Sequence, residues 1–265
     1  MTRERGSLGT TIGMEVAKRL GWEFVQQDII RQAAQEFEVS EEDLIRAVEE
    51  RPGFFERLGH AARKQFIFLA AEVFDFAARG GVVIMGRFST LLLRPVSHVL
   101  TVRVCAPLEV RLGRVMERHA AGRERALRII KAYDEGVRAR VGEFFDADWR
   151  DPALYDLTLN TGRLSVEAGV EQVLALAQRA EFRPTDASQQ HLADLHLAAR
   201  VKAVLKARPE TTRLDVDVRA EAGRVTLLGT VPAAREREAA ERVTRTVAGV
   251  RDLHNQLVAT VMPTR

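Results

Sequence analysis

The chain has 265 residues, 46% of them hydrophobic and 29% charged, with 40 Lys and Arg against 37 Asp and Glu and a formal net charge of +3. That length suits one medium domain and one small one, and the charge balance argues against a nucleic-acid binder with a basic face. A single cysteine, Cys105, excludes a disulfide framework within the chain and argues against a thiolate metal site.

Helical and strand patterns alternate along the first two thirds of the chain. The stretch RERGSLGTTIG, Arg3 to Gly13, leads into a helical run over Thr10–Leu20. WEFVQ (Trp22–Gln26) reads as a short strand. Asp28–Phe37 and Glu41–Glu50 read as helices, the second behind Ser40, a good N-cap. Arg51-Pro52-Gly53 breaks the chain, and a long helical pattern follows over Phe55–Ala78, closed by Gly80-Gly81. GVVIMG (Gly81–Gly86) is an unbroken apolar strand, as in a sheet covered on both faces. His98–Ala106 is another strand, in which Cys105 reads as a structural thiol. Leu108–Arg118 and Glu124–Phe145 are helical, Tyr155–Thr161 is a strand, and Val166–Arg179 is a helix. Strands separated by helices predict a mostly parallel α/β sheet.

FRPTDASQQ (Phe182–Gln190) is polar and contains a proline, so residues 182–191 are expected to be a linker between domains at 1–181 and 192–261. Beyond it the grammar changes. A helix over His191–Ala207 precedes two alternating strands that meet at Ala222-Gly223, a hairpin signal. A helix over Ala233–Val247 and a final strand complete a small α+β unit.

The chemistry suggested by the first loop is anion binding. Closely spaced glycines let several backbone N–H groups converge on one phosphate at a helix N-terminus, where the helix dipole adds to the attraction. Gly6, Ser7 and Gly9 supply the turn, and Thr10 or Thr11 a hydroxyl for Mg²⁺. A glycine-rich helix start capped by Thr10 explains the same residues without a ligand.

Five stretches occur in the order and wording of one family: MTRERGSLG, FVQQDII, VVIMGRFSTLLLR, VCAPLEVRLGRVMER and FFDADWRDPALYDLTLNT. On them, the first domain resembles the cytidylate kinase-like proteins of the P-loop nucleoside monophosphate kinase group. The resemblance implies a three-layer fold around a parallel sheet, and transfer of the γ-phosphoryl of ATP, with Mg²⁺, to CMP or a similar small acceptor. It implies a phosphate loop at Gly6, Ser7, Gly9, Thr10 and Thr11. It places Arg87 in the monophosphate site, Arg111 near the start of a lid, and Asp134 and Arg138 on the lid, clamping phosphates; Arg140 is a weaker candidate. Arginine suits such work because its planar fork grips two oxygens at once. Asp134 and Arg138, four apart on a helix, can also pair with each other. Arg114 and Arg118 fit a solvated helix face as well as a site. Asp156 and Asn160 fit strand-end capping as well as catalysis, and Trp149 fits packing.

Three departures from the family pattern stand out. Thr10 occupies the usual place of a lysine or arginine, and Gln26 that of an aspartate that contacts the nucleoside sugar; Asp28 could compensate for Gln26 if the chain is extended there. The first strand is apparently missing ahead of the loop, so either translation begins upstream of Met1 or the sheet has a gap at its middle.

The stretch GRVTLLGTV, the helix around REREAAERV, and AGVRDLHNQL resemble a BON domain over residues 192–261. The resemblance implies a non-catalytic module that binds a phospholipid surface, a ligand or a protein partner. His191, His196 and His254 lack metal-ligand spacing, and the mixed charges of Arg235, Glu236, Arg237, Glu238, Glu241, Arg242 and Arg245 suit a solvated helix face. No apolar run approaches the roughly 20 residues that span a bilayer, and no secretory signal opens the chain, so it reads as cytoplasmic; nothing in it sets an oligomeric state. The expectation is therefore an ATP-dependent nucleotide kinase with a binding module. The alternatives are a catalytically weak or inactive nucleotide sensor and a BON-driven interaction or membrane-associated protein.

Overall fold

The computed structural model describes residues 1–49, 61–86 and 88–260. The first unit contains β1 (Thr2–Arg3), α1 (Gly9–Leu20), β2 (Glu23–Val25), α2 (Asp28–Phe37), α3 (Glu41–Glu49), α4 (Ala61–Arg79), β3 (Val82–Ile84) and α5 (Ser89–Leu92). It continues through β4 (Val102–Cys105), α6 (Leu108–His119), α7 (Arg123–Phe145), β5 (Leu157–Asn160) and α8 (Val166–Ala177). The second contains α9 (Asp186–Ala207), β6 (Asp217–Glu221), β7 (Arg224–Val231), α10 (Ala234–Arg245) and β8 (Asp252–Ala259). The expected break at Arg51-Pro52-Gly53, the start of the long fourth helix, and Arg87 lie outside the described residues.

All strand pairs of the first unit are parallel: β1 with β4, β4 with β5, and β2 with β3. Met1 joins the two sets. Its amine donates to Ile84 O at 2.7 Å, and Gly86 N–H donates to Met1 O at 3.2 Å. The sheet therefore runs β2-β3-β1-β4-β5. The first strand, expected to be missing, is present as the two-residue stub Thr2–Arg3 at the centre of the sheet. Beneath the stub, toward the amino ends of β3 and β4, lies an apolar cavity of about 610 Å³, lined among others by Val82, Val83, Leu100 and Val102.

Helices cover both faces. Ile12, Val16 and Ala17 of α1 pack with Val83, Val104, Leu159 and Val173 on one side. On the other, α2 and α4 meet through Phe37 and Phe68, stacked at 4.5 Å between ring centroids. Burying each such aliphatic or aromatic side chain stabilises the fold by about 1.5–3 kcal/mol, and the two buried faces explain the unbroken apolar strands.

Within the stretch expected to be a linker, the chain is helical from Asp186. Thr185 and Ser188 form a reciprocal cap: Ser188 N–H donates to Thr185 Oγ1 at 3.2 Å, and Thr185 N–H donates to Ser188 Oγ at 2.9 Å. Of this stretch, residues 182–185 precede α9; Asp186, Gln189 and Gln190 are exposed on its first turns, and Ser188 is buried. Leu192 and Ala203 of this helix join the core around Phe37 and Phe68, whereas Val201 and Leu205 join the core of the second unit. There β6 and β7 form the expected hairpin, with Ala222 and Gly223 both at positive φ (49° and 85°), as its tight turn requires. β8 lies parallel to β7. No helix among the described residues is long and apolar enough to cross a membrane.

Where α9 meets α4, Arg200 pairs with Glu36 and lies 3.6 Å from Glu72 Oε1. Glu72 is fully buried, and neither carboxylate oxygen has a hydrogen-bond partner among the described residues. Desolvation, and next the charge of Asp75, raise its carboxyl from 4.5 to about 7 against the pull of Arg200. The folded chain therefore holds a proton that the unfolded chain has released. Stability from this group is fully present below about pH 4.5 and is lost as pH rises to about 7, by on the order of 3 kcal/mol. Glu72→Gln is expected to raise the thermal midpoint at pH 8 and leave it nearly unchanged at pH 5; equal shifts at both pH values would show that the proton is not involved.

Candidate phosphate-transfer site

The loop leaves the carboxyl end of β1 at the centre of the sheet, where the strand order reverses and open α/β sheets bind ligands. It turns through left-handed backbone at Gly6 (φ 84°) and Leu8 (φ 63°). A Cβ on Gly6 would lie 2.9 Å from Arg111 O, and one on Gly9 2.6 Å from Arg3 Cβ and 3.1 Å from Val104 Cβ. Both glycines thus permit close approach, Gly6 to α6 and Gly9 to the stem of Arg3. Ser7 is buried and belongs to the frame of the loop: its hydroxyl donates to Val104 O at 2.9 Å and its N–H to Glu4 O at 3.2 Å. Arg114 and Thr161 hold the turn from outside. Arg114 donates to Gly6 O at 3.3 Å and to Thr161 O at 2.7 Å, and the Thr161 hydroxyl donates to Ser7 O at 2.8 Å. No side chain caps α1, so the N–H donors of its first turn, at Thr10 and Thr11 among others, are left for an anion.

Beneath the loop runs a buried chain of alternating charges. Glu4 Oε1 accepts from Arg103 at 2.7 Å, and Glu4 Oε2 lies 3.4 Å from Arg111 Nε. Arg111 Nη1 donates to Asp134 at 3.0 Å, and Arg150 stands 3.6 Å from the same carboxylate. Glu4, Arg103, Arg111 and Asp134 are each no more than 7% exposed. Burial pushes the Asp134 carboxyl up, and Arg111 pulls it back toward the charged form. The guanidiniums of Arg103 and Arg150 lie 5.4 and 5.9 Å from the Trp149 ring, so this buried tryptophan packs, as one of its readings held.

The sequence candidates thus separate. Gly6, Gly9, Thr10 and Thr11 meet at the start of α1, with Arg111 and Asp134 paired just behind it. Asp134 and Arg138 do not pair: the buried carboxylate takes Arg111 and Arg150, and Arg138 stays exposed, where it keeps its hydration. Arg140 is fully buried and donates to Glu143 at 3.1 Å and to Arg46 O at 3.4 Å. Arg118 is a solvated helix residue. Asp156 accepts from the N–H and hydroxyl of Thr101, and Asn160 from Gly162 N–H, which are the capping and turn roles. Asp28 does not compensate for Gln26 from an extended segment: it begins α2, accepts from Gln26 N–H at 3.3 Å, and pairs with Arg31. Glu4, Arg103 and Arg150 were not legible as site residues, since only strand pairing and helix packing bring them together. Among the described residues no group of three or more His, Cys, Asp or Glu could hold a metal ion.

Comparison with known proteins points the same way. The model of the cytidylate kinase-like family matches residues 1–163, and that of the BON domain residues 193–260. The cytidylate kinase of Aeropyrum pernix is 29% identical over 175 residues, which cover 66% of this chain and 95% of that protein. The cytidylate kinase of Methanopyrus kandleri is 30% identical over 169 residues, covering 60% and 82%. A solved structure of an uncharacterised protein from Eubacterium ventriosum aligns with 67% of this chain and 96% of its own, at a TM-score of 0.54 and 16% identity, a likeness of fold.

Glu4 is the only carboxylate that touches both Arg103 and Arg111 among the described residues. Breaking a buried ion pair by neutralising one partner costs about 3–5 kcal/mol. Glu4→Gln is therefore expected to lower stability by that order in a urea titration, and a loss under about 1 kcal/mol would mean that the network contributes little.

Proposed function

The chain belongs to the cytidylate kinase-like family, and from that premise we propose that it transfers the γ-phosphoryl of ATP to CMP or a similarly small phosphate acceptor. The observation that carries this reading is the uncapped start of α1 at the switch point of the sheet, reached by a loop whose two left-handed residues and close-packed glycines leave backbone donors for phosphate oxygens. Little covalent chemistry is asked of such a protein; it aligns two phosphates and neutralises charge on the group in flight.

The residues present suit Mg²⁺ bound with ATP. The Thr11 hydroxyl is exposed, follows the position of the usual lysine, and can serve as the protein ligand, the remaining ligands being phosphate oxygens and water. When bound, the ion draws charge from the phosphates. Arg111 and Asp134, buried against each other, hold α7 against α6 and the root of the loop. Arg138, exposed on α7, and Arg87 are the guanidiniums assigned to the transferred and acceptor phosphates. The BON domain is the binding module, for a phospholipid or protein partner, and the location is cytoplasmic.

Thr10 and Gln26 favour a second reading, a nucleotide sensor with little turnover whose output is the BON domain. Calorimetric titration with ATP and CMP, followed by an Mg²⁺-dependent transfer assay, separates the two. The kinase turns over; the sensor binds without turnover; a chain that binds neither nucleotide is neither. For the kinase, Thr11→Val is expected to lower transfer by about 10²-fold at fixed Mg²⁺ and to raise the Mg²⁺ concentration needed for half-maximal rate. An unchanged Mg²⁺ dependence would remove Thr11 from the ion's ligands.

A further inference from the structure

We propose that Arg3, on the central strand ahead of the loop, supplies the phosphate-facing cation that the loop lacks at Thr10, and that Tyr133 fixes its guanidinium in place. The inference rests on the phosphate-binding part of the proposed function and adds a residue to it.

Its basis is where the side chain goes. Arg3 Nε donates to Thr10 Oγ1 at 2.6 Å, so the guanidinium sits against the residue that replaces the lysine. Nη1 donates to the Tyr133 hydroxyl at 2.7 Å, that hydroxyl lies 3.3 Å from Arg3 O, and the guanidinium lies 5.6 Å from the ring centroid. The stem of Arg3 crosses the first residue of α1, and only a glycine at position 9 leaves room for it: a Cβ there would be 2.6 Å from Arg3 Cβ and 3.4 Å from Arg3 Cδ. The head is thereby delivered to the uncapped first turn, where the backbone donors are.

The charge of Arg3 is also unanswered. Arg103 and Arg111, its buried neighbours, each pair with a carboxylate. Arg3 is half-buried and makes no ion pair among the described residues; its contacts are two hydroxyls and a ring. Its Nη2 has no protein partner among them. Of the five N–H donors of a guanidinium, those not given to Thr10 and Tyr133 remain for an anion, in the planar fork that suits two phosphate oxygens. Tyr133 precedes Asp134 on α7, so the helix tied to the root of the loop through Arg111 also sets the angle of this arginine.

The test uses the full chain, titrated calorimetrically with Mg–ATP and, separately, with inorganic tripolyphosphate, which presents phosphates without a nucleoside. Arg3→Met keeps the apolar stem over Gly9 and removes the charge. It is expected to weaken both ligands by about 10- to 100-fold. Arg3→Met combined with Thr10→Lys, which returns a cation from the loop itself, is expected to recover most of the loss. Wild-type affinity in Arg3→Met overturns the assignment and leaves the phosphate site standing, whereas a wild-type chain that binds neither ligand overturns the phosphate site and this inference together. Should Arg3→Met not fold, Tyr133→Phe removes one hydroxyl and is expected to weaken tripolyphosphate by about 3- to 10-fold; unchanged affinity there overturns the assignment.

Discussion

The buried carboxylate of Glu4 is the interaction on which the site depends. It stands one residue beyond the stub of β1, and it holds Arg103 from the neighbouring strand and Arg111 from α6. Arg111 in turn holds Asp134 on α7. Charges this deep are costly to desolvate, and the cost is offset only where each is paired and hydrogen-bonded. The alternation of sign along Arg103, Glu4, Arg111 and Asp134 meets that condition. It adds side-chain links to the backbone pairing of β1 with β4 at Thr2 and Arg3.

The same economy explains the hydrogen bonds around the loop. Ser7, Thr161 and Arg114 spend donors on loop carbonyls and on Val104 O rather than on a ligand. That fixes the turn and leaves the first-turn N–H groups of α1 as the unspent donors. Uncapped first-turn N–H groups present backbone dipoles of the sign that favours an anion, and the stem of Arg3 lies across Gly9 beside them.

The two units share a helix. α9 has one face in the core of the kinase-like unit and the other in the core of the BON unit, and Arg200, His98 and Ser188 add polar contacts along the join. Apolar area buried on both faces of one helix makes the two cores interdependent.

Periodicity, glycine placement and caps made most elements legible along the chain: α1, α2, α6, α7 and the Ala222-Gly223 hairpin fall where local physics puts them. The sequence also marked the loop, and the motifs that carried the family resemblance. The stretch 182–191 has the polar composition of a linker, and the reciprocal bonds of Thr185 and Ser188 begin a helix inside it, a feature that composition alone does not reveal. The charge network could not be read in advance. Glu4 and Arg103 lie far apart along the chain and become neighbours only when parallel strands align, and the pairing of Asp134 with Arg111 rather than with Arg138 was decided by burial. Local geometry is set by nearest neighbours in sequence, whereas the partner of a charge is chosen by the low-dielectric surroundings that the whole fold creates.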